Sequence, residues 1–69
     1  SPELQALMDE AHEVIARSEP LVESAAPEDA EELRELLTRL RFAVKRRSGT
    51  EMKETLSDLE DLVFYLQDA

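Results

Sequence analysis

Apolar side chains recur along this chain at alternating spacings of three and four, the mark of helices that bury one face. In the N-terminal third, Leu4, Met8, Ala11, Ile15, Ser18, Val22 and Ala25 form such a seam, widened by Leu7, Val14 and Leu21. The pattern predicts a helix over about 3–24. Pro20 falls inside it. Proline offers no N–H to the carbonyl of Ala16, and its ring crowds that turn, so the helix either kinks there or ends near Glu19. The stripe continues through Leu21 and Val22, which favours the kink.

The first break is Ser24-Ala25-Ala26-Pro27. Pro27 suits the first turn of a new helix, where its missing N–H costs nothing. Glu28, Asp29, Glu31 and Glu32 follow and favour the positive end of the helix dipole. The seam Ala30, Leu33, Leu37, Leu40 and Val44, flanked by Leu36 and Ala43, predicts a second helix over about 27–46. The next break is Arg47-Ser48-Gly49-Thr50. Ser48 with Glu51 three residues on has the form of a capping box. Thr50 is a weaker cap, because Lys53 cannot return the reciprocal bond. The seam Met52, Leu56, Leu59, Val63 and Leu66, flanked by Leu62, predicts a third helix over about 49–67. Both connections are short, so neighbouring helices run antiparallel. The fold class expected is all-α: one antiparallel three-helix bundle over 1–69, its first helix kinked at Pro20.

Composition narrows the options further. A chain of 69 residues with one glycine and no cysteine must be held by helix packing alone. The lone His12 cannot build a zinc site without a second imidazole or thiolates. A net charge of −9 opposes nonspecific binding to nucleic acid or to an anionic membrane. The apolar runs are too short to span a bilayer. The first turn carries a glutamate and no apolar stretch follows, so no signal peptide is expected and the cytoplasm is the expected compartment.

Candidate chemistry is sparse. Carboxylates such as Asp58, Glu60 and Asp61 need a concave, desolvated site before they do acid–base work, and a Leu- and Val-filled bundle offers none. They read as a solvated face. His12 lies about 60° off the seam at ~100° per residue, which makes it a half-exposed structural histidine. Ser18 lies in the seam without a histidine partner. It is expected to bond its own helix backbone rather than act as a nucleophile. No catalytic or metal-binding residue and no cofactor is expected in this segment, and the chain is not read as an enzyme. The basic run from Arg39 to Arg47, with Arg46 near its end, suits a helix C-terminus and pairing with neighbouring acidic faces; its functional reading is an acidic partner. Phe42 sits roughly 180° from the second seam and Phe64 roughly 120° from the third, at ~100° per residue. Either they cover helix ends within the domain, or they form an exposed patch with Arg39 and Arg46 that serves an interface, weak self-association included.

The run Ala11-His12-Glu13-Val14-Ile15-Ala16-Arg17-Ser18-Glu19 resembles a stretch of the seventy-kilodalton heat-shock chaperones (DnaK type) that reads Ala-x-x-Leu-Ile-x-x-Thr-Glu. Ala26-Pro27-Glu28-Asp29-Ala30 is similar to that family's short Pro-containing link. The segment from Glu32 to Lys45 is similar to its Ile-x-x-x-x-x-x-Leu-x-x-Ala-Leu-Lys helix. Met52, Leu56, Leu59 and Val63 fall where the family carries Ile, Met, Leu and an apolar residue. Pro20, the link before Pro27, which is a few residues shorter, the turn Arg46-Arg47-Ser48-Gly49 and Phe42 depart from the family pattern.

The resemblance implies the C-terminal helical lid of such a chaperone, acting in protein folding and the stress response. The lid would close over a peptide held in a neighbouring β-sandwich, under control of an ATPase domain. Its partners would be those two domains of the same chain and, through them, unfolded client proteins; ATP would bind the parent protein and not this segment. Ser1-Pro2 and the end at Ala69 fit an excised fragment. Pro20 would be a hinge between arm and head. The alternative is a free-standing helical interaction or dimerisation module.

Overall fold

A computed structural model describes residues 1–68; Ala69, where the expected fragment ends, lies outside them. The order of elements is α1 (Pro2–Ser18), α2 (Leu21–Ser24), α3 (Pro27–Lys45) and α4 (Gly49–Asp68). The described residues are helical apart from short links. α1, α3 and α4 pack on one another as an antiparallel three-helix bundle, and α2 is a single turn laid on α3.

Each boundary has a local cause. Ser1 caps α1, accepting from the Leu4 N–H at 3.2 Å, and Pro2 occupies the first turn. Pro20 interrupts the helix as expected: α1 ends at Ser18, and a separate turn, α2, opens at Leu21. Glu19 and Pro20 keep right-handed helical dihedrals, and the Val22 N–H falls back on the Glu19 carbonyl at 3.2 Å. The helix expected over 3–24 is thus two helices sharing one direction of turn. Ala25 then swings extended, with ψ 156°. α3 starts at Pro27 without a side-chain cap, and Glu28 and Asp29 supply the negative charge its first turn favours.

α3 ends in a Schellman motif. The Ser48 N–H donates to the Ala43 carbonyl and the Arg47 N–H to the Val44 carbonyl, each at 3.0 Å. This motif calls for a left-handed residue, and the residue there is Arg47, with φ 56°. Gly49, which would adopt it freely, stands two positions too late and opens α4 instead. The capping box expected from Ser48 and Glu51 forms only in half. The Ser48 hydroxyl accepts from the Glu51 N–H at 3.3 Å. The reciprocal bond is absent because the Ser48 N–H is engaged in the Schellman motif and the Glu51 carboxylate pairs with Arg46.

Val14, Leu33, Leu40, Met52 and Leu59 are fully buried at the centre. On α1 the buried residues are Ala11, Val14 and Ser18, while Met8 and Ile15 are only partly covered. The buried face of α1 is therefore rotated by roughly 75°, at ~100° per residue, from a seam drawn through Met8 and Ile15. The same rotation carries His12 further outward, so it is exposed rather than half-exposed. Ser18 is buried and donates to the Val14 carbonyl at 2.6 Å. Thr55 is buried likewise and donates to the Glu51 carbonyl at 2.8 Å. No buried side-chain polar atom among the described residues lacks a partner, so the core carries no desolvation penalty of that kind.

Candidate interaction surface

Phe42, Phe64 and Tyr65 are the large apolar residues left exposed, at 57%, 70% and 62%. Their positions follow from helical phase. The α3 residues Leu33, Leu36, Leu37, Leu40 and Ala43 face the core, and Phe42 projects from the opposite side. On α4 the buried set is Met52, Thr55, Leu56, Leu59, Leu62 and Val63, which leaves Phe64 and Tyr65 on the two outer flanks.

Phe42 and Phe64 do not form one patch. α3 and α4 are antiparallel, so Phe42 lies near the turn that joins them and Phe64 near the far end of α4. At 1.5 Å per residue they are separated by on the order of 15–20 Å along the bundle. Of the four residues expected to share a surface, Phe42 and Arg39 are together on α3 with Arg46 at its C-cap, and Phe64 stands apart. Thr38 and Lys45 belong with Phe42 as well. Positions three and four residues away share a helix face, so the sequence contained that signal.

The charge around Phe42 is unlike that of the rest of the molecule. Arg39 and Lys45 lie three residues to either side and Arg46 four residues on. Arg41, Phe42, Lys45 and Thr38 border an open hollow of about 200 Å³. Two acidic residues form ion pairs here, and Arg39 at the edge also borders Glu35, Asp58 and Asp61. Glu19, at the corner between α1 and α2, pairs with Arg41, and Glu51 pairs with Arg46. These contacts tie the basic half of α3 to the two turns beside it, the pairing with neighbouring acidic faces that the basic run suggested, with the individual partners set by the fold.

Carboxylates dominate elsewhere. An open groove of about 520 Å³ between α3 and α4 is bordered by Glu32, Glu35, Arg39, Asp58 and Asp61 over Leu36 and Leu62. Among the described residues no group of His, Asp or Glu is spaced to hold a metal ion. Between α1 and α4, Arg17 lies 3.7 Å from Glu13 and 3.9 Å from Glu60. The carboxyl of Glu60 is disturbed by its surroundings. Partial burial raises its pKa above the usual carboxylate value. Glu10, by its charge and by a hydrogen bond, and Glu13 raise it further, while Arg17 acts in the opposite sense. No helix among the described residues is long and apolar enough to cross a membrane.

The surface presents two different settings for an exposed aromatic: one among cations on α3, and one among carboxylates on α4. No family model matches the chain, and neither a curated protein nor a solved structure matches it.

Proposed function

We propose that the chain is the helical lid of a DnaK-type chaperone, a non-catalytic part that closes over peptide bound in a neighbouring β-sandwich. The observation that supports this reading is the order of helices and breaks. A helix carrying Ala11 to Glu19, a Pro27-started helix and a third helix with Met52, Leu56, Leu59 and Val63 on its buried face follow one another as the resemblance requires. In this reading the bundle works mechanically. It occludes bound peptide and slows its release, and nucleotide held in the ATPase domain of the parent decides when it opens.

The bundle moves as one body in this reading. α1 packs on both α3 and α4, and α2 on α3. A pivot at Pro20 would strip α1 from the other helices and expose Ala11 and Val14, which are wholly buried. Pro20 therefore sets the course of the chain into α2, and the joint of a lid would lie before α1.

The coding sequence upstream of Ser1 tests the proposal first: it should specify an ATPase domain followed by a β-rich one. In that full-length protein, deleting this segment should speed the release of a labelled unfolded peptide in the ADP state and leave ATP hydrolysis in place. Unchanged release overturns the reading. A free-standing interaction module is the second reading, favoured by the exposure of Phe42 and Phe64.

A further inference from the structure

From Leu36 to Thr50 the chain carries five cations, Arg39, Arg41, Lys45, Arg46 and Arg47, and no carboxylate. The whole protein has a net charge of −9. The field over the C-terminal half of α3 is therefore opposite in sign to that of its surroundings. Arg41 and Arg46 are paired within the fold. Arg39, Lys45 and Arg47 make no ion pair among the described residues. In the middle of this face stands Phe42, more than half exposed, beside a hollow sized for one side chain. An exposed aromatic ringed by cations combines the two residue classes that carry most binding energy at interfaces.

We propose that the C-terminal half of α3 is a docking face for an acidic peptide segment carrying one apolar anchor. The anchor packs on Phe42 in the hollow beside Thr38, and flanking carboxylates of the segment meet Arg39 and Lys45. Charge complementarity selects this occupant. A nucleic acid also carries negative charge, but a single aromatic offers no succession of stacking platforms, and the acidic remainder of the bundle repels a long polyphosphate. A second copy of the chain brings its own net charge of −9 to the contact. A short acidic segment is small enough to stay on this face, where the hollow beside Phe42 is bordered by Arg41 and Lys45 and only Arg39, at the edge, adjoins the carboxylates of the α3–α4 groove. The proposal rests on this face alone and holds for a lid and for a free-standing module alike.

The test is fluorescence anisotropy of the full chain against a short labelled peptide in which Asp and Glu flank a single Trp. Saturable binding that weakens as salt is added is expected, because the contributing charges are exposed. Phe42→Ala should weaken it by at least about tenfold, as should replacing the Trp of the peptide by Ala. The double variant Arg39→Glu, Lys45→Glu should abolish it, while Phe64→Ala should leave it unchanged. Circular dichroism melts establish that each variant is folded. The proposal is overturned by no saturable binding, by an equal loss with Phe64→Ala, or by tighter binding of a labelled single-stranded oligonucleotide than of the peptide. Sedimentation showing a dimer that Phe42→Ala dissolves would assign the face to a second copy and overturn it too.

Discussion

Phe42 and Phe64 are the same residue in the same kind of element, both turned away from the same core, yet they present opposite surfaces. Around Phe42 the helical neighbours at three and four residues are Thr38, Arg39, Lys45 and Arg46; around Phe64 they are Glu60, Asp61, Gln67 and Asp68. An exposed ring contributes apolar area in either place. The charges beside it decide which partner can reach that area, since like charge around an approaching segment costs more than the ring returns. One bundle thus carries a cationic aromatic face near the α3–α4 turn and an anionic one near the other end. The pooled charge of the chain describes only the second.

The contrast between outer and inner residues gives the largest effects. Leu40 lies two positions before Phe42, and Leu59 five before Phe64, and both are fully buried. Leu40→Ala and Leu59→Ala should each cost about 2–5 kcal/mol in urea denaturation, because each leaves a cavity. That is a large share of what so small a domain possesses. Phe42→Ala and Phe64→Ala should each fall within about 0.5 kcal/mol of the parent. A cost of several kcal/mol at either phenylalanine would mean that it belongs to the core, and the comparison of two free surfaces would fail.

A smaller effect separates the two ends of the bundle. The end that presents Phe42 is closed by a turn in which Arg47 holds φ 56°. A side chain in that conformation costs about 1–2 kcal/mol relative to glycine, less what glycine gains in freedom when unfolded. Arg47→Gly should therefore stabilise the fold by up to about 1 kcal/mol, read from the denaturation midpoint. It also removes one cation from the basic end, so weaker salt dependence of acidic-peptide binding should accompany the gain. A destabilised variant would show that the Arg47 side chain holds the turn by contacts of its own.

Much of this molecule was legible in its sequence. Pro27 and Ser48 marked helix starts, and the seams of α3 and α4 consist largely of residues that are buried. The stripe of α1, from Leu4 and Leu7 to Ile15 and Ser18, is no wider than theirs at ~100° per residue, yet only Ala11, Val14 and Ser18 are buried, and packing against α3 and α4 decides which of its residues go inside. Thr55 was silent because a hydroxyl reads as polar until its bond to the Glu51 carbonyl is seen. For the surface, helical phase placed Phe42 and Phe64 outside. Their separation, the pairing of Arg41 with Glu19 and the loss of Glu51 to Arg46 depend on which helices are neighbours, and periodicity carries no such information.

The smallest effect concerns the acidic side of the comparison. Glu60 lies four residues before Phe64 and faces Glu10 and Glu13 on α1, with Arg17 close by. Its pKa in the folded chain is raised, first by partial burial and then by Glu10, so the fold holds that proton more tightly than the unfolded chain does. By linkage, stability falls as pH rises through this window. The favourable contribution of the protonated form is fully present below the ordinary value of 4.5 and is lost as pH climbs through the raised one. Glu60→Gln removes the titration. It should stabilise the bundle at neutral pH by only a few tenths of a kcal/mol, since the site is partly exposed and the attraction to Arg17 is lost as well. The advantage over the parent should shrink on acidification, as the parent's own Glu60 takes up its proton. Paired denaturation curves at neutral and mildly acidic pH measure it. An advantage that does not change with pH would place the crowding of carboxylates beside Phe64 elsewhere than at Glu60.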